Sequence, residues 1–233
     1  MRRKLVCIAC SAIVVLALVR AGAGQSSATA LVDQKIDVHL SRATFLQTLS
    51  VLSVEHRVPI GLERDADYWH RMRSSMAFEN GQINWKEGTI HIKSGTLREI
   101  LDSLVAQEPI YRWEVRDGVI NICPIQSRDP FLQKLLDTRV ERFAPEKGMD
   151  KLQLHSAILD LPEIRDLVEA AKLETMKGVY GTGRSIYADD EVKLGISHTN
   201  VRGVLNKVIR DSEYKLWVVD RIGDKRESLE ISF

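Results

Sequence analysis

Three stretches of this chain repeat one pattern: two apolar residues in alternation, a polar residue able to start a helix, and an amphipathic helix with apolar positions at constant offsets. With Thr44, Thr96 and Asn200 taken as the helix-starting residues, the fourth residue before each is Leu40, Ile92 and Ile196, and the sixth is Val38, Ile90 and Leu194. Residues two apart share one face of a strand, so each pair reads as an extended segment with a buried side. Beyond the caps the matched positions are Phe45, Leu97 and Val201, then Leu49, Leu101 and Leu205, then Leu52, Leu104 and Val208. Offsets of this kind lie on one helical stripe. Thr44 with Gln47 and Thr96 with Glu99 have capping-box spacing, in which two residues satisfy each other's backbone N–H. After the second and third helices, Tyr111-Arg112-Trp113-Glu114-Val115 aligns with Tyr214-Lys215-Leu216-Trp217-Val218. Such a repeat specifies a fold assembled from small supersecondary units.

The pattern divides the chain into an α+β protein of two tandem units, over residues 36–123 and 138–233, joined by a connector over 124–137. Unit one begins with a strand over residues 36–40 and a helix from Phe45 to about Glu55. Val58-Pro59-Ile60-Gly61-Leu62 reads as a short strand at a sheet edge or corner, because proline cannot donate to a ladder. Residues 64–82 read as a long loop holding at most a short helix. Ile83-x-Trp85 and Ile90-x-Ile92 flank Lys86-Glu87-Gly88 as a hairpin, and Arg116-Asp117-Gly118 forms the turn of another between residues 111–115 and 119–122. The connector carries a small helix with Phe131, Leu132, Leu135 and Leu136 as its stripe. In unit two, residues 138–143 read as a strand and Leu152-x-Leu154 as extended. Asp160-Leu161-Pro162-Glu163 starts a helix, Asp160 as its cap, with Ile164, Leu167, Val168 and Ala171 inward. A charged turn over residues 220–227 separates the strand 214–219 from the closing strand Leu229-x-Ile231-x-Phe233, and a chain ending on a strand is expected to be complete there.

Residues 1–24 have the layout of a secretory signal peptide: Arg2-Arg3-Lys4, an apolar run from Leu5 to Val19 closed by Arg20, and small residues Ala21-Gly22-Ala23-Gly24 at a cleavage point. The run is short for a bilayer span. Removal is expected, with membrane contact only through a retained leader. Residues 25–35 read as a disordered leader, rich in Ser, Ala and Thr at their start. Cleavage removes four cationic residues and no acidic one, so the formal charge of +1 becomes −3. A near-neutral chain lacks the basic face on which nucleic-acid affinity rests, and no nucleic-acid partner is expected. Two of the three cysteines leave with the leader, so Cys123 has no intrachain disulfide partner. Its place before Pro124 makes it a half-buried strand end. About two hundred remaining residues suffice for one large core or two small ones, and the repeat favours two.

Two half-copies per unit, each a strand, a helix and an extended segment, closing on a polar-tipped hairpin, resemble the short N-terminal (STN) domain of secretins and TonB-dependent receptors. The likeness rests on residues 36–62 and 90–122, above all Gly95-Thr96-Leu97-Arg98-Glu99-Ile100-Leu101, with Asn200-Val201-Arg202-Gly203-Val204-Leu205 as the best match in unit two. The resemblance implies a mixed sheet with two helices packed on it in each unit, and residence in the periplasm, the extracellular side being the other destination of an exported chain. It also implies contact with envelope proteins such as those of a secretin, pilus or TonB system. It supplies no catalytic residue and no cofactor. No barrel or channel segment follows Phe233, which favours a free-standing adaptor or assembly factor over a channel subunit.

Residues able to carry chemistry are sparse. His39 and His91 each sit five residues before a helix cap and share a sheet face if their strands are neighbours. Two imidazoles fall short of the four ligands of a structural zinc site, so they are weak metal candidates and solvated strand positions are expected. His56, Asp65, Asp67 and His70 read as a solvated loop, as do Asp189, Asp190 and Glu191, since paired carboxylates do acid–base work only where burial separates their pKa values. There is no nucleophile elbow and no histidine partner for Cys123 by motif; no catalytic residue is assigned and an enzyme is not expected. Gly178-Val179-Tyr180-Gly181-Thr182-Gly183-Arg184 matches neither a dinucleotide nor a phosphate loop, and reads as a hairpin tip, with partner contact through Tyr180 and Arg184 as the alternative. Tyr68, Trp69 and Phe78 in the long loop are the other binding candidates. Trp85, Trp113 and Trp217 read as packing residues. Sheet edges at residues 58–62 or at the C-terminal strand would accept a partner strand. The expected function is an exported, non-enzymatic interaction or assembly module of the envelope; the alternative is a small-ligand or carbohydrate-binding module using the aromatic loop over residues 64–82.

Overall fold

The chain is described by a computed structural model over residues 30–64, 76–79, 82–85, 90–126, 129–145, 149, 151–175, 195–222 and 228–233. In chain order the elements of the first half are β1 (Lys35–Ile36), β2 (Leu40–Ala43), α1 (Phe45–Val54), β3 (Ile60–Glu63), β4 (Met76–Glu79), β5 (Gln82–Trp85), β6 (Ile90–Ile92), β7 (Gly95–Thr96), α2 (Leu97–Gln107), β8 (Tyr111–Arg116) and β9 (Val119–Pro124). There follow α3 (Pro130–Asp137), β10 (Arg139–Phe143), α4 (Lys151–Leu159), α5 (Pro162–Ala170), β11 (Glu174–Thr175), β12 (Ile196–Asn200), α6 (Val201–Asp211), β13 (Leu216–Ile222) and β14 (Ser228–Ser232). The protein is α+β; leaving aside β1, β4, β5 and β7 the first half runs β–α–β then β–α–β–β, and the second half after α3 has the same order with two helices, α4 and α5, in its first β–α–β.

Local chemistry starts the helices where the repeat expects. Thr44 and Thr96 cap α1 and α2 from extended backbone, and both capping boxes are complete. At α6 the cap is Asn200, whose Oδ1 accepts the Gly203 N–H at 2.9 Å. Asp129 accepts the N–H groups of Phe131 and Leu132 at the start of α3, with Pro130 in the first turn. The C-terminal end of α6 is held by Lys215, whose Nζ donates to the carbonyls of Ile209, Arg210 and Ser212. Basic groups favour a helix C-terminus because its last carbonyls are unpaired.

A six-stranded mixed sheet in the order β11-β14-β13-β3-β9-β8 organises the molecule. The first half supplies β3-β9-β8, in which β3 and β9 are parallel and β9 and β8 form an antiparallel hairpin. The second half supplies β11-β14-β13 with the same relations. The two blocks join through a parallel pairing of β13 with β3, in which Leu216, Trp217, Val218 and Val219 oppose Ile60, Gly61, Leu62 and Glu63. Smaller ladders, β2-β6, β1-β7 and β10-β12, lie beside the helix starts.

The two faces of this sheet belong to different halves. Ile60, Leu62, Ile120, Ile122 and Val218 point into a core built with α1 and α2, whereas Val119, Trp217, Val219, Leu229 and Ile231 point into a core built with α3 to α6. Residues 119–123 are consequently buried on both sides, the reason this strand lacks the polar alternation of a half-exposed one.

Several sequence expectations change. The segment at residues 58–62 is not a sheet edge: β3 lies between β9 and β13. Pro59 is accommodated because the ladder begins one residue later, with the Ile60 N–H on the Lys215 carbonyl at 2.8 Å. The expected hairpin across Lys86-Glu87-Gly88 is replaced by two separate pairings, β5 with β4 and β6 with β2. Residues 76–79 are therefore a strand within the stretch read as loop, residues 83–85 are a strand as expected but with β4 as partner, and Asn80-Gly81, favoured hairpin-turn chemistry, stands between the paired residues Glu79 and Gln82. Leu152 and Leu154 belong to helix α4, not to an extended segment. Leu161, not Asp160, is the cap residue of α5 and offers no side-chain bond, and Ala171 is exposed. Asp220 and Arg221 continue β13 where a charged turn was expected. Val32 is buried in the first core and Lys35 pairs with Thr96, so residues 30–35 are not a disordered leader; residues 1–24 lie outside the described residues.

Candidate functional site

The junction of β13 and β3 shows what the protein does with a sheet edge. Trp217, fully buried, lies over Gly61, where a Cβ would come within 2.2 Å of its ring. The indole N–H donates to Asn206 Oδ1 of α6 at 2.9 Å, which fixes the ring across the neighbouring strand. Arg202 of α6 pairs with Glu63 of β3, and Arg64 just beyond β3 pairs with Asp220 of β13 at 3.0 Å. Arg221 adds Asp129 at 3.4 Å and stacks its guanidinium 5.3 Å from the centre of the Phe131 ring. Each carboxylate here faces an arginine, and the pairs Arg202–Glu63 and Arg64–Asp220 clamp α6 and β13 to the end of β3.

Helices α2 and α6 have the same length and are offset by 104 positions, a number that also relates their caps Thr96 and Asn200. The same offset carries Trp217, Asn206 and Arg202 onto Trp113, Asp102 and Arg98. Trp113 Nε1 donates to Asp102 at 2.9 Å, matching the bond from Trp217 to Asn206, and Arg98 lies 5.8 Å from the Trp113 ring centre. The structural repeat thus matches Trp113 with Trp217, one residue away from the sequence alignment, which had set Trp113 against Leu216. A slip of one position moves a side chain to the other face of a strand.

The surroundings of the two tryptophans differ. Trp217 is covered by β3; Trp113 lies on β8, the last strand of the sheet, and is half-buried. Asp117 and Gly118 both have positive φ, 55° and 75°, the signature of a two-residue type I′ turn closing Arg116 against Val119. In such a hairpin the closing pair exchanges hydrogen bonds, so alternate residues, here Trp113 and Val115, turn their backbone groups away from β9. Among the described residues no strand pairs with that edge.

Of the residues singled out from sequence, Tyr68, Trp69, Tyr180 and Arg184 lie outside the described residues, as do Asp65, Asp67, His70 and residues 189–191. Phe78 is in β4 opposite Ile83. The strands beside His39 and His91 are neighbours, as β2 pairs with β6, and both imidazoles are exposed on the outer side. His39 approaches Ser94 Oγ at 3.3 Å and Asp37 at 4.0 Å. Among the described residues no three groups converge as metal ligands. Cys123 is buried rather than half-buried, and burial, with Glu63 nearby, pushes its thiol pKa up and keeps it protonated. Arg98, Asp102, Arg202, Asn206 and Asp220 were not singled out. The available signal was a tryptophan eleven residues after a polar residue on the preceding helix, present twice.

No family model, curated protein or solved structure matches the chain. Among the described residues no helix is long and apolar enough to cross a membrane.

Proposed function

We propose that this chain is an exported, non-enzymatic interaction or assembly module of the cell envelope, STN-like in organisation, acting by contact with other envelope proteins. The observation that carries the reading is the six-residue strand β8, which ends an open sheet and has no strand on its outer side among the described residues. Open sheets recognise extended segments by adding a strand, with main-chain hydrogen bonds giving affinity and side-chain pockets giving selectivity. The doubled β–α–β, β–α–β–β order and the leader-like residues 1–24 support the same reading. The buried carboxylates at the junction of the halves are paired with arginines, which suits a scaffold.

The test is site-directed photocrosslinking in cells, with a photoreactive residue placed singly at exposed positions on both faces and at β8. The expected result is a reproducible adduct to one envelope protein at neighbouring positions. Adducts at none of the positions, together with turnover of a peptide or glycan panel by the purified chain, would reverse the proposal. Sequencing of the purified protein's N-terminus is expected to begin after Gly24.

A further inference from the structure

Among the described residues the structure holds two versions of one strand-binding device, one occupied by a strand and one on which no strand lies. At the occupied one, Trp217 and Arg202 receive β3, with Gly61 beneath the indole and Glu63 on the guanidinium. At the other, Trp113 is held to its helix by a bond of the same length, to the carboxylate of Asp102 where Trp217 has the amide of Asn206, and Arg98, at the repeat position of Arg202, lies 5.8 Å from the centre of its ring. The strand directions agree as well. Because β8 runs opposite to β13 and α2 lies on the opposite face from α6, the second device is the first turned over by half a turn about an axis crossing the sheet. Among the described residues Arg98 pairs with the carboxylate of Asp33 at 3.7 Å, with the two side chains 48% and 56% exposed, a pair that costs little to exchange for another carboxylate.

We infer that the outer edge of β8 binds an extended segment of another protein, in parallel, with the pattern apolar–Gly–apolar–acidic. Glycine is required opposite Trp113 because the equivalent indole leaves no room for a Cβ, and the acidic residue two positions on meets Arg98. A peptide with this chain's own residues 58–64, Val-Pro-Ile-Gly-Leu-Glu-Arg, carries the pattern and is the probe. The partner is taken as foreign because β3 is enclosed between two strands, and the outermost strand at the other end of the sheet, β11, is two residues long and presents Glu174 and Thr175 without a glycine. The inference rests on the interaction reading above and names the site and partner class for it.

The experiment is fluorescence anisotropy of the labelled peptide with the full folded chain. Saturable binding is expected, weakened by about tenfold when the peptide glycine is replaced by valine, the 1.4 kcal/mol that tenfold represents lying within the usual cost of overpacking a filled site. Arg98→Glu should weaken binding of the native peptide and restore it for a peptide with arginine in place of glutamate; the variant's melting profile verifies its fold. Absence of binding, equal binding of the valine peptide, or insensitivity to Arg98→Glu, as strand exchange at β13 would give, overturns the inference. So does concentration-dependent self-association that Arg98→Glu abolishes, which would make a second copy the occupant. Crosslinks to an envelope protein elsewhere on the surface, with no peptide binding, would remove this edge and leave the interaction reading intact. Peptide binding without any envelope adduct would do the converse.

Discussion

Gly61 is a residue whose missing side chain is what the fold uses. A methyl group there would stand 2.2 Å from the Trp217 ring, and the ring is held in place by Asn206, so the strand rather than the indole must give. Gly61→Ala is expected to destabilise the protein by about 1–3 kcal/mol, the usual cost of overpacking a filled site, read as a lowered denaturant midpoint with an unchanged slope. The buried pair of Arg64 and Asp220 behaves differently, since removing one charge takes from the other a buried ionic partner at 3.0 Å. Asp220→Ala is expected to cost about 3–5 kcal/mol, and the double variant Arg64→Met with Asp220→Leu distinctly less, because well-packed apolar residues often replace a buried ion pair without loss; a double-mutant cycle measures the coupling. Neither residue stood out in the sequence. Glycine before an apolar residue and aspartate before arginine are common, and their roles arise only when strands far apart in the chain are laid side by side.

Helix starts are the elements that the sequence states most directly, because a cap is a contact between residues three apart. The two capping boxes differ in one respect with a measurable result. Gln47 returns the bond to Thr44 as a neutral amide, whereas Glu99 accepts the Thr96 backbone N–H at 2.8 Å and the hydroxyl at 3.0 Å as a carboxylate. These hydrogen bonds lower the Glu99 pKa from its ordinary 4.5, the backbone bond most of all. A carboxylate with a lowered folded pKa contributes stability above its unfolded pKa and loses it as pH falls through the folded value. The protection factor of the amides in the first turn of α2, their exchange relative to an unstructured chain at the same pH, is therefore expected to fall on acidification below pH 4.5, while that of α1 does not, and Glu99→Gln should remove the difference. Helix α4 and the β4-β5 hairpin were read otherwise for physical reasons. Leu152 and Leu154 fit a two-residue period, Leu154 and Ile158 a helical spacing of four, and a short apolar run does not choose between them. Lys86-Glu87-Gly88 has the chemistry to turn β5 onto β6, yet β5 pairs with β4 and β6 with β2, partners that local turn chemistry does not choose.

On the scale of the whole molecule, two repeats share one sheet, with each half covering one face of it. Val119 of the first half lies in the second core and Val218 of the second half in the first. The halves are therefore expected to unfold together, in one calorimetric transition whose van't Hoff and calorimetric enthalpies agree. Two resolved transitions would mean that the pairing of β3 with β13 contributes little. By itself the sequence determined the α+β class, the repeat, the caps and most apolar faces, because these follow from periodicity and contacts within a turn or two of chain. The merging of the blocks, the enclosure of β3 and the ion pair between residues 156 positions apart were decided only by the tertiary structure. Every strand edge offers the same row of N–H and C=O groups, so backbone hydrogen bonding does not say which edges meet. That choice came from side chains that complement each other only once folded: an indole over a glycine, and arginines over carboxylates.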